Sequence, residues 1–239
     1  MAARCLLYYI TDRKAFPEDE LSRRRRLLEK IAEAAQAGID YIQLREKDLS
    51  TRDLESLARD AVRTIREVQQ LNSDGRPPDP ALLINSRVDA AIASEADGVH
   101  LRSEDISPED VRKTWVCGEG TAFDRLRAGS ARELSSRIPL IGVSCHSPEE
   151  VAQAAANGAT FAVFAPVFEK KDAPEMQPIG LAQLKQACRA NIPVLALGGV
   201  TLSNARSCFE AGAAGIAAIR LFQENDIAEV VDALRQPAR

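Results

Sequence analysis

The sequence holds only two histidines, His100 and His146, in 239 residues, too few imidazoles for a His-rich metal centre. Its five cysteines (5, 117, 145, 188 and 208) are odd in number and include no Cys-x-x-Cys pair. That excludes a disulfide framework and leaves reduced, mostly buried thiols in a cytoplasmic protein as the expectation. No apolar run reaches the length of a membrane span, and the residues before Ile10 carry no signal-peptide cleavage pattern, so neither membrane nor export is expected. An excess of positive charge is missing too: 31 Lys and Arg face 35 Asp and Glu, a net charge of -4. A general nucleic-acid or membrane-surface binder is thereby disfavoured. An anionic ligand would have to be held by a local cluster.

What is present is a regular alternation. Apolar runs of strand length begin at Cys5, Tyr41, Leu82, Gly98, Leu140, Phe161, Val194 and Gly215. Between them lie segments with helical spacing. Leu21, Leu27, Leu28, Ile31 and Ala35 mark the first, and Leu54, Leu57, Ala61, Ile65 and Val68 the second. Shorter ones follow over Val88–Ala93, Pro108–Trp115, Pro148–Ala156, Leu181–Arg189, Leu202–Ala211 and Ile227–Leu234. Ser107-Pro108-Glu109 and Ser147-Pro148-Glu149 each set a capping hydroxyl, a first-turn proline and a carboxylate in helix-start order. Ala37-Gly38, Asn157-Gly158 and Ala211-Gly212 repeat one joint, in which a glycine closes a helix before the next strand.

Eight strands alternating with eight helices predict an α/β fold, a single closed (β/α)8 TIM barrel over residues 1–239. The alternative, an open doubly wound sheet, normally has fewer strands, and its Gly-x-Gly-x-x-Gly turn is missing after strand one. Two stretches do not fit the alternation: Leu71–Pro80 and Cys117–Arg137. Both read as surface insertions without an assigned role.

In such a barrel the strand C-termini build the site. Here they read Thr11-Asp12-Arg13; Gln43, Arg45, Lys47; Asn85-Ser86-Arg87; His100 with Arg102, Glu104 and Asp105; Ser144-Cys145-His146; Phe168-Glu169-Lys170-Lys171-Asp172; Gly198-Gly199; and Ile219-Arg220. Cations outnumber anions at these ends in an acidic chain, which predicts a phosphorylated ligand. Gln43, Arg45 and Lys47 alternate at the strand period and suit a polyanion, with a planar fork beside a compact point charge. The Gly198-Gly199 turn would let backbone N–H groups approach a phosphate. His100 reads as a packed, hydrogen-bonded residue of its strand.

The segments YYITDR, QLREK, LINSRVDAAI, ADGVHLRSED, IGVSCHSPEEV, APVFEKKD, LALGGVT and AGAAGIAAI occur in one order along nearly the whole chain. In that order and spacing the chain resembles the thiamin phosphate synthase (ThiE) and TenI superfamily. The resemblance implies a thiamin biosynthesis transferase that joins a pyrimidine methyl pyrophosphate to a thiazole phosphate, giving thiamin phosphate and pyrophosphate. In that chemistry pyrophosphate leaves first, and the thiazole nitrogen captures the pyrimidine cation. By resemblance Gln43, Arg45, Lys47 and Asn85 form the pyrimidine and pyrophosphate site. Lys170 contacts the leaving pyrophosphate, Ser144 lies near the pyrimidine, and Gly199 with the backbone at Ile219 holds the thiazole phosphate. Asp105 matches one of two Mg2+ aspartates.

The departures carry equal weight. The second Mg2+ aspartate is Ser86 here, a glycine after the His-Leu pair is Arg102, a phosphate-site serine is Arg220, and the loop before Lys170 is shortened. One anion lost and two cations gained move the site three units positive if all three residues face it. Magnesium bound by Asp105 alone would be weak, and Arg102 or Arg220 could take over part of its electrostatic task. A TenI-like thiazole tautomerase is the alternative; there His146 would shift a proton and no metal is needed. A non-catalytic barrel binding a phosphorylated ligand is the second alternative. Homo-oligomer formation and the order of substrates are open at this stage.

Overall fold

The computed structural model describes residues 4–71, 80–117, 138–169, 175 and 177–236. The Leu71–Pro80 and Cys117–Arg137 stretches therefore lie almost wholly outside the described residues, as does Lys170. Eight parallel strands close into a barrel in sequence order: β1 (Leu6–Ile10), β2 (Tyr41–Leu44), β3 (Ala81–Asn85), β4 (Gly98–Leu101), β5 (Leu140–Cys145), β6 (Phe161–Phe164), β7 (Val194–Ala196) and β8 (Gly215–Ala218). Around them pack α1 (Glu20–Ala37), α2 (Thr51–Leu71), α3 (Val88–Ser94), α4 (Pro108–Cys117), α5 (Pro148–Ala156), α6 (Leu181–Ala187), α7 (Ala205–Glu210), α8 (Arg220–Gln223) and α9 (Ile227–Arg235). Every expected strand begins within one residue of its expected start. The expected helix at Leu202 begins three residues later, because Leu202–Asn204 form a turn. The four-residue α8 and a 3-10 turn at Arg13–Ala15 carry too little periodicity to be read from sequence.

Local chemistry explains the elements. In α1, Leu27, Ile31 and Ala34 fall at helical spacing and are fully buried. Each large side chain of this kind contributes roughly 1.5–3 kcal/mol on burial. Asp19 caps the start by accepting from the Ser22 N–H, and Gly38 closes the end at φ +81°. Ser107 and Ser147 likewise accept from Asp110 N and Glu150 N.

Strand periodicity divides the core in two. Tyr8, Ile10, Leu83, Phe161, Val163, Leu195 and Ala217 fill the barrel interior, while the alternate residues pack outward against the helices. At the N-terminal end, polar side chains are consumed by the frame. Asp40, Asp97 and Thr160 accept from the N–H groups of Leu7, Leu82 and Ile141, the second residues of β1, β3 and β5, tying these strands to the joints that follow. Chemistry is left to the C-terminal end.

Candidate active site

Arg13 and Arg87, at the ends of β1 and β3, are paired with carboxylates, so fewer strand-end cations are open to a ligand than the sequence alone suggests. Arg13 is 3% exposed and Glu46 5% exposed. Arg13 bonds Glu46 at 3.1 Å, Asp48 at 2.8 Å through each of two nitrogens, and Glu20 at 2.7 Å. Glu46 also accepts from the Thr11 hydroxyl at 2.6 Å and from the Arg13 N–H. These bonds hold the Asp48 carboxyl well below the usual range, with Arg13 the main cause. Arg87 is likewise paired with Asp89. Glu46, two residues beyond the end of β2, turns back onto this network, while Gln43 on β2 faces the barrel mouth.

A second network faces the mouth. β2 ends at Leu44, so Arg45 and Lys47 stand just beyond the strand rather than on it, which corrects the expectation that they alternate with Gln43 along one strand. Gln43 is buried and donates to Asn85 Oδ1 at 2.9 Å. Asn85 donates to Ser86 Oγ at 3.2 Å, and Arg102 Nε donates to the same oxygen at 3.1 Å. Arg102 then reaches Asp105 twice, from its backbone N–H at 2.8 Å and from the guanidinium at 3.2 Å. The chain Gln43–Asn85–Ser86–Arg102–Asp105 thus unites expected site residues from β2, β3 and β4. Ser86 holds φ +59°, a left-handed conformation that favours glycine, and its N–H donates to the His100 carbonyl.

Arg45 and Lys47 complete this rim, and neither makes an ion pair among the described residues. The charge of Arg45, ahead of burial and of Arg102, pulls the Lys47 ammonium below its usual value. Three cations therefore crowd one arc of the rim without an equal number of anions.

The donor set does not fit the magnesium ion that the resemblance implies. Both Asp105 oxygens already accept from Arg102, and Ser86 offers only a neutral hydroxyl. Mg2+ takes near-ideal octahedral oxygens from one or two carboxylates plus substrate phosphates, and here the one carboxylate at hand is already bonded to Arg102. No cluster of three His, Cys, Asp or Glu suited to a metal occurs among the described residues.

The remaining expected residues lie on other strands. Ser144, on β5, meets His100 Nε2 at 2.8 Å. His100 in turn meets the Tyr8 hydroxyl through Nδ1 at 3.1 Å. Sequence reading placed His100 in the core and did not connect it to Ser144, since the contact depends on barrel register across β4 and β5. Tyr8 was missed for the same reason, although strand periodicity from Ile10 could have turned it inward. His146, exposed after β5, donates from Nδ1 to the Ala165 carbonyl at 2.7 Å, so that whenever the ring is neutral Nε2 is its acceptor nitrogen.

At the end of β7, Gly198 and Gly199 hold φ +95° and +66°. A Cβ on Gly199 would stand 2.3 Å from the Glu169 carbonyl oxygen, so only glycine lets the loop after β6 pack on this turn. Ile219 is half-buried and caps the short α8. Arg220 follows it and is exposed.

Comparison with known proteins bears on this arrangement. A family model described as thiamine monophosphate synthase matches residues 7–120 and 117–222. The thiamine-phosphate synthase of Clostridium novyi is 35% identical, covering 92% of this chain and 91% of its own. That of Roseiflexus castenholzii is 34% identical, covering 91% of this chain and 81% of its own. Among solved structures, a thiamine phosphate pyrophosphorylase from Pyrococcus furiosus is similar with a TM-score of 0.70 and 28% identity. It covers 97% of this chain and 94% of its own.

Proposed function

The chain belongs to the thiamine monophosphate synthase family, and from that premise we propose that it couples a pyrimidine methyl pyrophosphate to a thiazole phosphate, forming thiamin phosphate. The observation that carries this reading is the Arg45, Lys47 and Arg102 rim standing over the Gln43–Asn85 amide pair. Breaking the bond between the pyrimidine methylene carbon and its pyrophosphate oxygen sends the bonding pair onto pyrophosphate. Fixed cations stabilise that developing charge, with little covalent work left to the protein. The thiazole nitrogen then donates its lone pair to the cationic carbon and closes the new C–N bond. The Gly198-Gly199 turn, on a separate arc of the rim, suits the thiazole phosphate. By resemblance Lys170, outside the described residues, would add a further cation to offset the pyrophosphate charge.

Because the donor set around Asp105 does not suit magnesium, Arg102 supplies charge at that position in this reading. The guanidinium is clamped by Ser86 and Asp105, so its placement costs no reorganisation during reaction. No helix among the described residues is long and apolar enough to cross a membrane.

A thiazole tautomerase is the second reading, favoured by one observation: His146 presents an acceptor nitrogen after β5 while its other nitrogen is anchored to Ala165. Incubation of purified protein with both substrates distinguishes the two. Thiamin phosphate is the expected product. Conversion of the thiazole tautomer with no thiamin phosphate would reverse the order, and binding without turnover of either substrate would leave a phosphate-ligand barrel.

A further inference from the structure

The geometry points to His100 as a positioning residue: Tyr8 holds it in the Nε2–H tautomer, so that the Ser144 hydroxyl proton is presented to an acceptor nitrogen on the pyrimidine substrate. The identity of that acceptor rests on the proposed function; the direction of the relay does not.

The direction follows from counting donors. Tyr8 and His100 are buried, and Ser144 is half-buried on the same interior face, one residue from the end of β5. Burial drives the Tyr8 phenol well above its usual pKa, so it keeps its proton. A buried O–H without an acceptor costs on the order of 1–3 kcal/mol. The only partner of this hydroxyl among the described residues is His100 Nδ1. Nδ1 must therefore offer its lone pair. Burial first, then the charge of Arg45, lowers the imidazole pKa to about 3 against a weaker opposite pull from Asp105, so the ring is neutral. A neutral ring with a bare Nδ1 carries its hydrogen on Nε2, and that hydrogen goes to Ser144 Oγ at 2.8 Å. The serine oxygen is thereby occupied as an acceptor. Its own proton has no partner among the described residues, which leaves that proton to be donated toward the open end of the barrel.

The ring also sits in a purpose-shaped niche. A Cβ on Gly142 would lie 2.8 Å from His100 Nδ1 and 2.6 Å from Phe161. Only glycine on β5 leaves room for the imidazole between Tyr8 and Phe161. The acceptor class follows from depth. Phosphate oxygens are served by the rim cations, whereas Ser144 is a neutral donor near the aromatic floor of Tyr8, Tyr41 and Phe161, the surroundings a heteroaromatic ring would enter.

Two measurements test the relay. Two histidines make [15N]histidine spectra assignable by elimination with a His146→Gln sample. The expected signature for His100 is a neutral Nε2–H ring at pH 7, giving way to mixed tautomers in Tyr8→Phe. A cationic ring, or an Nδ1–H tautomer, would overturn the relay whether or not the protein makes thiamin phosphate. The second measurement is a kinetic cycle, using Tyr8→Phe rather than a His100 variant because it preserves ring volume. Ser144→Ala should lower kcat/KM for the pyrimidine substrate about tenfold, the scale of one hydrogen bond. Tyr8→Phe should lower it about threefold alone and have no further effect in the Ser144→Ala background. Additive losses would mean that Tyr8 and His100 act through general packing, and would end the proposal.

Discussion

Replacing Glu46 with glutamine keeps the shape of the side chain and removes one charge from the buried network behind the β2 rim. The wild-type carboxylate takes the Thr11 hydroxyl, the Arg13 backbone N–H and the Arg13 guanidinium. Breaking one member of a buried pair costs roughly 3–5 kcal/mol, because the partner is stranded. Arg13 is not stranded completely. It keeps Asp48 and Glu20, whose side chains are 37% and 59% exposed, so the lower end, about 3 kcal/mol, is expected. For a domain of this size each kcal/mol moves Tm by about 2–4 °C, giving a fall of roughly 6–12 °C. Thermal unfolding followed by circular dichroism measures it. Glu46 lies between Arg45 and Lys47, so loosening its anchor should also raise KM for the pyrophosphate substrate several-fold at 25 °C. A fall in Tm smaller than about 2 °C would refute the reasoning, since the pair would then behave as a solvated one. An unchanged KM would show that the spacing of the two cations is set elsewhere.

Synthesis of thiamin phosphate should persist in excess EDTA and fall at least tenfold in Arg102→Ala; full dependence on added Mg2+ with an unaffected Arg102→Ala would dismiss the guanidinium's role. Gly199→Ala should weaken binding of the thiazole phosphate in calorimetry and lower Tm, because the added carbon meets the Glu169 carbonyl. Wild-type affinity and Tm in that variant would remove the turn from the site.

The barrel was legible because its signals are local. Apolar strand runs, the Ser107 and Ser147 caps and the repeated glycine joints are each written within a few neighbouring residues. Gln43 and Asn85 were legible as mouth residues because strand period and strand end fix their direction. Arg13 was not, since its neutralisation depends on Glu46, 33 positions away, and sequence offers no sign of which strand-end cations find carboxylates. Arg102 and Asp105 were read as separate contributors; that they clamp each other follows from a tight turn after β4 in which the Arg102 and Asp105 backbones are also bonded. The Tyr8–His100–Ser144 line runs across the barrel interior and is visible only once the strands are in register.

The guanidinium held between Ser86 and Asp105 has a consequence for the end of the reaction cycle. A divalent ion can leave together with the pyrophosphate it has helped to release, so that product departs as a partly neutralised complex. An arginine is bonded to the chain and stays behind. On the proposed reading, departing pyrophosphate would then give up its contacts with Arg45, Lys47 and Arg102 one by one and be rehydrated as a bare polyanion. On that reading such a site would need no cellular magnesium for bond breaking, and the burden of turnover would shift toward product escape. In that regime, exchange of pyrophosphate between the rim and the surrounding water sets the pace.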